Sequence, residues 1–241
     1  MTTIYSNVIP VFETVAATWR AMNREGFALL AAVAIPALGI SIVEFIAEDF
    51  PHRFPYTLVF WLLSAPFFVL FAVVCHRSII LGGDSLPNRL GLFWSARETA
   101  FLAWTIAIIV VSWVLSFVIG LVALLSPFGF WITFLAIVTL LSYFYVRLAM
   151  VLPATAVEDG TSFGRAWSLT SGNGFRIIFV IVLTVAPVVI AALMLLYLLA
   201  GNFLGILVAV VSRHAIPLVA ICALSMSYRE LIDFEESALP D

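Results

Sequence analysis

From residue 27 onward the chain alternates long apolar runs with short polar breaks. A helix of about 20 apolar residues crosses roughly 30 Å of hydrocarbon, and runs of that length predict six membrane spans. They cover about 27–47, 57–81, 100–125, 130–152, 175–199 and 205–230. The breaks are AEDFPHRFP (47–55), a turn within 82–98, SPFG (126–129), a polar stretch up to Arg176, and Gly201-Asn202. No charged residue occurs from Thr99 to Val146. That run is too long for one helix, so SPFG must divide it. Pro36 and Pro66 fall inside the first two spans, which membrane helices tolerate when neighbours satisfy the freed carbonyl. Arg213 and His214 intrude near the start of the sixth span. The alternative there is a re-entrant 203–211 followed by a short helix from 215.

Shorter amphipathic patterns stand at the mouths of the spans. In 10–24, Val11, Val15, Trp19 and Met22 share one helical face, with Glu13, Arg20 and Arg24 opposite. That pattern predicts a helix lying in the membrane interface. A second such helix is expected after the turn at 82, carrying Leu90, Phe93 and Trp94. A third is expected over 161–171, with Thr161 or Ser162 as its N-cap after the Asp159-Gly160 turn. The tail LIDFEESALPD is acidic and is expected to fray.

These patterns recur. Val15-x3-Trp19, Leu90-x3-Trp94 and Phe163-x3-Trp167 each open a unit, and Phe27, Phe101 or Phe175 follows at a span mouth. Each unit closes on an arginine: Arg77, Arg147 or Arg229. The tryptophans are 94 − 19 = 75 and 167 − 94 = 73 residues apart, close enough to a fixed period to predict three tandem repeats. Their expected bounds are 10–81, 82–152 and 153–231, within one integral membrane domain covering 1–241 and ending in an acidic tail, 232–241. The first and third units share Gly26-Phe27 with Gly174-Phe175, and a proline ahead of the closing arginine (Pro66, Pro217). The middle unit lacks both. Trp19, Trp94 and Trp167 are the expected interfacial anchors, because an indole is half apolar and half hydrogen-bonding.

Composition sharpens the class. The 241 residues are 64% hydrophobic and 10% charged, against about 25% charged in soluble domains, and the mean hydropathy is +1.18. An all-α polytopic membrane protein is the class that fits. The net charge of −3 matters less than where the 11 cationic residues stand. All are arginine, as a GC-rich bacterial genome would favour. With six spans, nine of them fall on the side of both termini, and only Arg53 and Arg213 fall opposite. The positive-inside rule then places both termini in the cytoplasm, across a bacterial inner membrane. The first 26 residues lack the order of a signal peptide, so the first span is expected to stay as an anchor. Cys75 and Cys222 sit in apolar runs as packing residues, and three histidines do not make a metal cluster. No cofactor or nucleic-acid partner is expected.

The run RLAMVLPATAVEDGTSFGRAWSLTSGNGFRI resembles the signature of the YciC-like family of bacterial inner-membrane proteins. It is also similar to the membrane domain joined to some glycerophosphodiester phosphodiesterases. Arg147, Pro153, Glu158, Trp167-Ser168-Leu169 and Gly174 carry the likeness, and Tyr228-Arg229 resembles the pair that closes the last helix. The resemblance implies a multi-pass inner-membrane fold and assigns no activity, since the chain has no soluble phosphodiesterase domain.

Candidate chemistry is sparse. Arg77, Arg147, Arg165 and Arg229 could meet an anionic lipid headgroup, which guanidinium forks suit, or simply anchor at the interface. Arg213 and His214 are candidates for an outer-side contact, because a charge in a span costs about 2.5–3.5 kcal/mol at the centre. No nucleophile elbow, phosphate-cradling loop or zinc motif occurs, and an enzyme would need His76, Glu158 and Asp159 to meet. The expected function is a non-catalytic membrane protein that binds membrane lipids or serves as scaffold or accessory to another inner-membrane complex. A transporter or channel subunit is the alternative, and an intramembrane enzyme is the least favoured class.

Overall fold

The structure, a computed structural model, describes residues 8–50, 54–82, 92–124 and 130–237. These residues form helices α1 (Val11–Glu48), α2 (Phe54–Leu81), α3 (Ala96–Leu124), α4 (Phe130–Ala149), α5 (Val151–Ala156), α6 (Phe163–Leu169), α7 (Gly174–Leu198) and α8 (Phe203–Ser237). Six apolar segments are long enough to cross a membrane, with α4 and α5 forming one of them between Phe134 and Ala156. The all-α polytopic fold is therefore as expected. Arg53, the turn residues 83–91 with Arg89 and Leu90, SPFG at 126–129 and the last residues 238–241 lie outside the described residues.

Three expected boundaries are corrected. The segment 10–24 is not a separate interfacial helix: it continues through Gly26 into the first span as a single helix of 38 residues. Gly26 carries the helix at a cost of about 1 kcal/mol relative to alanine, and no proline stands there to break it. The face this part buries is Thr14, Thr18 and Ala21, one turn apart, whereas Trp19 is partly exposed. Both threonine hydroxyls bond back to carbonyls four residues earlier, at 2.9 and 2.8 Å. Trp94 is likewise not on a helix of its own, because 92–95 is non-helical and α3 starts at Ala96. Finally, the acidic tail is not frayed as far as Ser237, because α8 runs unbroken through the expected sixth span into it, which also sets aside the re-entrant alternative for 203–211. Ile232 and Phe234 pack on the core, so this part of the tail is tied down.

At about 1.5 Å per residue, α1 and α8 exceed the hydrocarbon thickness by several turns. Their surplus lies at one end of the bundle, which α5 and α6 also occupy. Ile9 is bound there to the start of α7: its N–H donates to Asn173 Oδ1 at 2.9 Å, and its carbonyl accepts from Arg176 at 3.1 Å. Both described chain ends thus share a side.

Helices α1, α2, α7 and α8 form a four-helix core, with the first and last hairpins packed most extensively. Each of the four carries one proline in its interior: Pro36, Pro66, Pro187 and Pro217. Equal intervals separate the pairs (187 − 36 = 217 − 66 = 151 residues). A buried cluster including Leu29, Val33, Phe71, Cys75, Leu218 and Cys222 joins α1, α2 and α8. Close approach is enforced where a Cβ on Gly39 of α1 would overlap the Phe67 ring of α2. The middle hairpin, α3 with α4, packs more loosely against this core.

Candidate functional site

The end of the bundle that holds both described chain ends is organised by arginines. Arg147, in the last turn of α4, is buried at 6% exposure. Its Nε donates to Thr170 Oγ1 at 2.9 Å and Nη1 to the Tyr143 hydroxyl at 3.1 Å, while Nη2 donates to the Trp167 carbonyl. The guanidinium lies 3.5 Å from the centre of the Trp167 ring, and the indole's other neighbour is Phe144, stacked at 5.6 Å. Arg147 therefore holds α6 to α4, combining hydrogen bonds with a cation–π contact. Gly174, where a Cβ would strike the Tyr143 ring, lets the start of α7 pack against the same place.

Helix α5 ends in a Schellman motif. Asp159 N–H bonds the Ala154 carbonyl at 3.0 Å and Glu158 N–H bonds that of Thr155 at 3.2 Å. Glu158 takes the left-handed position (φ 63°) that glycine usually fills. Its carboxylate meets Arg97 at 3.3 Å. The following loop aims Asp159 at Arg165 Nη1 (2.6 Å), and Arg165 Nη2 reaches Glu235 on α8 at 3.2 Å. The Tyr228 hydroxyl donates to the second Asp159 oxygen at 2.5 Å. The Arg165 guanidinium holds the Asp159 carboxyl below its usual range, and the carboxylate in turn raises Arg165. Ser162 caps α6, its hydroxyl accepting from Arg165 N–H at 3.0 Å, as one of the two expected caps.

The remaining predicted residues are distributed as follows. Arg77 Nη1 donates to the Ala156 carbonyl at 3.0 Å, at the end of α5. Arg229 is exposed and makes no ion pair among the described residues. The four candidate headgroup arginines thus share no partner there, and two of them, Arg147 and Arg165, are engaged in holding α6. At the opposite end Arg213 pairs with Glu44 at 2.7 Å and His214 with Ser41 at 2.7 Å, linking α8 to α1. His76, Glu158 and Asp159 do not meet. Each is bonded to a different neighbour. Among the described residues no three His, Cys, Asp or Glu side chains gather as a metal site. Trp19, Trp94 and Trp167 are all partly exposed, and Trp94 Nε1 donates to Thr99 at 3.0 Å.

One local device escaped the sequence reasoning although it was written there. Ser95-Ala96-Arg97-Glu98 is a capping box: Ser95 N–H and hydroxyl both donate to Glu98 Oε2, at 2.8 and 2.5 Å. Arg97 neutralises the buried carboxylate at 2.7 Å.

Within the membrane part, the loose seating of the middle hairpin leaves a cavity of about 530 Å³. Its walls come from α2, α3, α4, α7 and α8, including Ala72, His76, Phe101, Thr105, Leu141 and Leu224. A second cavity of about 330 Å³ lies between α1, α2, α3 and α4, and reaches Glu44. Phe68, Thr105, Tyr145 and Leu152 line both. The larger volume falls within the ~300–1,000 Å³ of ordinary small-molecule sites. Among the described residues its lining holds no Asp, Glu, Lys or Arg. Comparison with known proteins finds no match to the chain among family models, curated proteins or solved structures.

Proposed function

We propose that the chain is a non-catalytic protein of a bacterial inner membrane, with both termini cytoplasmic, that binds a membrane lipid between its middle hairpin and its four-helix core. The observation carrying this is the 530 Å³ uncharged cavity. It lies in a bundle whose ion pairs Arg97–Glu158, Arg165–Glu235 and Arg213–Glu44 join separate elements and leave the cavity to apolar side chains. An apolar chain there would fill space that the hairpin leaves open. The resemblance to YciC-like proteins agrees with the location, and the arginines at the end shared by the termini agree with the orientation. The lipid reading now rests on the cavity, because Arg147 and Arg165 are committed within the protein.

Lipid extraction and mass spectrometry of the detergent-purified protein test this. One lipid species is expected at near-stoichiometric amount in the wild type. Ser116→Phe, which introduces a ring at the cavity wall from an exposed position on α3, is expected to lower it several-fold. A bulk lipid profile identical in both proteins would sink the proposal.

A second reading, a transporter or channel subunit, is favoured by one observation: the two cavities share a wall and together extend toward Glu44. Release of a preloaded amphiphile across proteoliposomes containing the protein alone would support it. Retention would leave the binding role.

A further inference from the structure

His76 is the most deeply buried polar side chain on the wall of the larger cavity, at 1% exposure. Its Nδ1 lies 2.8 Å from Ser225 Oγ, and that hydroxyl lies 2.8 Å from the Ile221 carbonyl oxygen. Ser225 has one proton, and a carbonyl oxygen can only accept. Both bonds form together only if Ser225 donates to Ile221 and His76 donates from Nδ1. The neutral ring then keeps an acceptor lone pair on Nε2, for which no hydrogen-bond donor is present among the described residues. On so apolar a wall, an acceptor without a protein partner calls for a donor from whatever fills the cavity.

The rest of the wall defines what carries that donor. Thr105 and Ser116 bond back to their own helix, at 2.9 and 2.7 Å. The lining residues on α3 run from Phe101 to Ser116, roughly 22 Å at helical rise. His76 and Phe101, with rings 5.8 Å apart, stand at the end nearer the termini. Among the described residues no Arg or Lys lines the cavity to neutralise an acid.

We infer that the cavity takes an uncharged lipid with a hydroxyl head, whose O–H donates to His76 Nε2 while a hydrocarbon tail runs along α3 toward Ser116. This rests on the proposed lipid-binding role and names its ligand class.

Equilibrium binding of tritiated hexadecanol, hexadecanoate and hexadecane to the full-length protein in detergent micelles tests it. Hexadecanol is expected to bind up to roughly tenfold tighter than hexadecane, the range one hydrogen bond allows. His76→Leu should abolish that preference while leaving hexadecane binding in place, and His76→Asn, which retains an acceptor, should keep part of it. Equal binding of alcohol and alkane, with both weakened by Ser116→Phe, would overturn the head-group assignment and spare the cavity. Tighter binding of hexadecanoate would overturn it in favour of an anionic ligand. Alkane binding indifferent to Ser116→Phe would remove the cavity reading itself. Should His76→Leu fail to fold, the alcohol-to-alkane ratio in the wild-type protein decides alone.

Discussion

The first and last hairpins differ from the middle one in how they settle against their neighbours. Helices α1, α2, α7 and α8 all carry a proline and bury 22–33% of their most apolar stretch; in the middle hairpin the α4–α5 stretch buries 28%, and it is α3, at 6%, that differs. In a bilayer this difference has a particular meaning. Lipid tails are as apolar as leucine, so exposure of α3 to them costs little, and association depends on packing and on polar clips. The core helices obtain both: Gly39 against Phe67, and the Arg213–Glu44 and His214–Ser41 links. The middle hairpin is fastened mainly where the termini lie, through Arg97, Arg147 and α5. It can therefore stand away from the core along the membrane and leave a cavity without unfolding.

The largest effect should come from breaking core packing. Phe71 is 2% exposed and lies in the α1–α2–α8 cluster, while Phe117 on α3 is 68% exposed. Phe71→Ala should destabilise by about 3–5 kcal/mol, lowered somewhat because the transfer part shrinks in lipid. Phe117→Ala should be close to neutral. Unfolding in mixed micelles of increasing SDS content measures both. Equal losses would mean that α3 is packed as tightly as the core.

Arg147→Ala should come next, at about 2–4 kcal/mol, since it removes three charge-assisted bonds, to Thr170, Tyr143 and the Trp167 carbonyl, and the cation–π contact with Trp167. Arg147→Lys should recover little, because an ammonium cannot reproduce the fork and the stacking together. Tryptophan fluorescence followed through unfolding reports on the nearby Trp167. A lysine variant as stable as wild type would reduce Arg147 to a point charge. Gly39→Ala should cost about 1–3 kcal/mol as overpacking against Phe67. Gly120→Ala on α3, where a Cβ meets nothing within 4 Å, should instead be neutral or gain up to about 1 kcal/mol of helix propensity. This glycine pair repeats the core-against-middle comparison with one methyl group.

The spans were legible because hydrocarbon thickness sets their length, and the breaks at Gly201-Asn202 and SPFG interrupt runs too long to be single helices. Ser162 was legible because a cap is a local bond. The fusion of 10–24 with the first span was not, since Gly26 resembles a boundary when only neighbours along the chain are considered. The Trp periodicity also predicted more likeness than the three span mouths possess: Phe27 and Phe175 are exposed, whereas Phe101 is buried beside His76. The partners that give each charged side chain its task lie far off in sequence. Arg213 meets Glu44 from 169 residues away and His76 meets Ser225 from 149. Of the arginines grouped as one headgroup set, Arg77, Arg147 and Arg165 each hold a different partner, because sequence position gives the end of the bundle and not the partner.

The smallest effect concerns the clasp between α6 and α8, the weakest of the polar fastenings. Asp159 and Arg165 are about one-third exposed, so their attraction is screened by water. Arg165 depresses the Asp159 pKa below the ordinary 3.8. A carboxylate with a depressed folded-state pKa contributes stability that is fully present above the unfolded value and is lost as pH falls through the folded one. Between pH 7 and 5 the clasp should therefore not weaken, and its loosening should begin only below about pH 4. Amide hydrogen exchange over 163–169, corrected for the intrinsic pH dependence of exchange, should show constant protection down to pH 5. Asp159→Asn, which removes the charge and keeps the shape, should raise exchange there modestly at pH 7 and leave α3 unchanged. If instead the wild-type protection fell between pH 7 and 5, α6 would be held by a group that titrates higher than Asp159. If Asp159→Asn changed nothing, Arg147 alone would fasten that helix to the bundle.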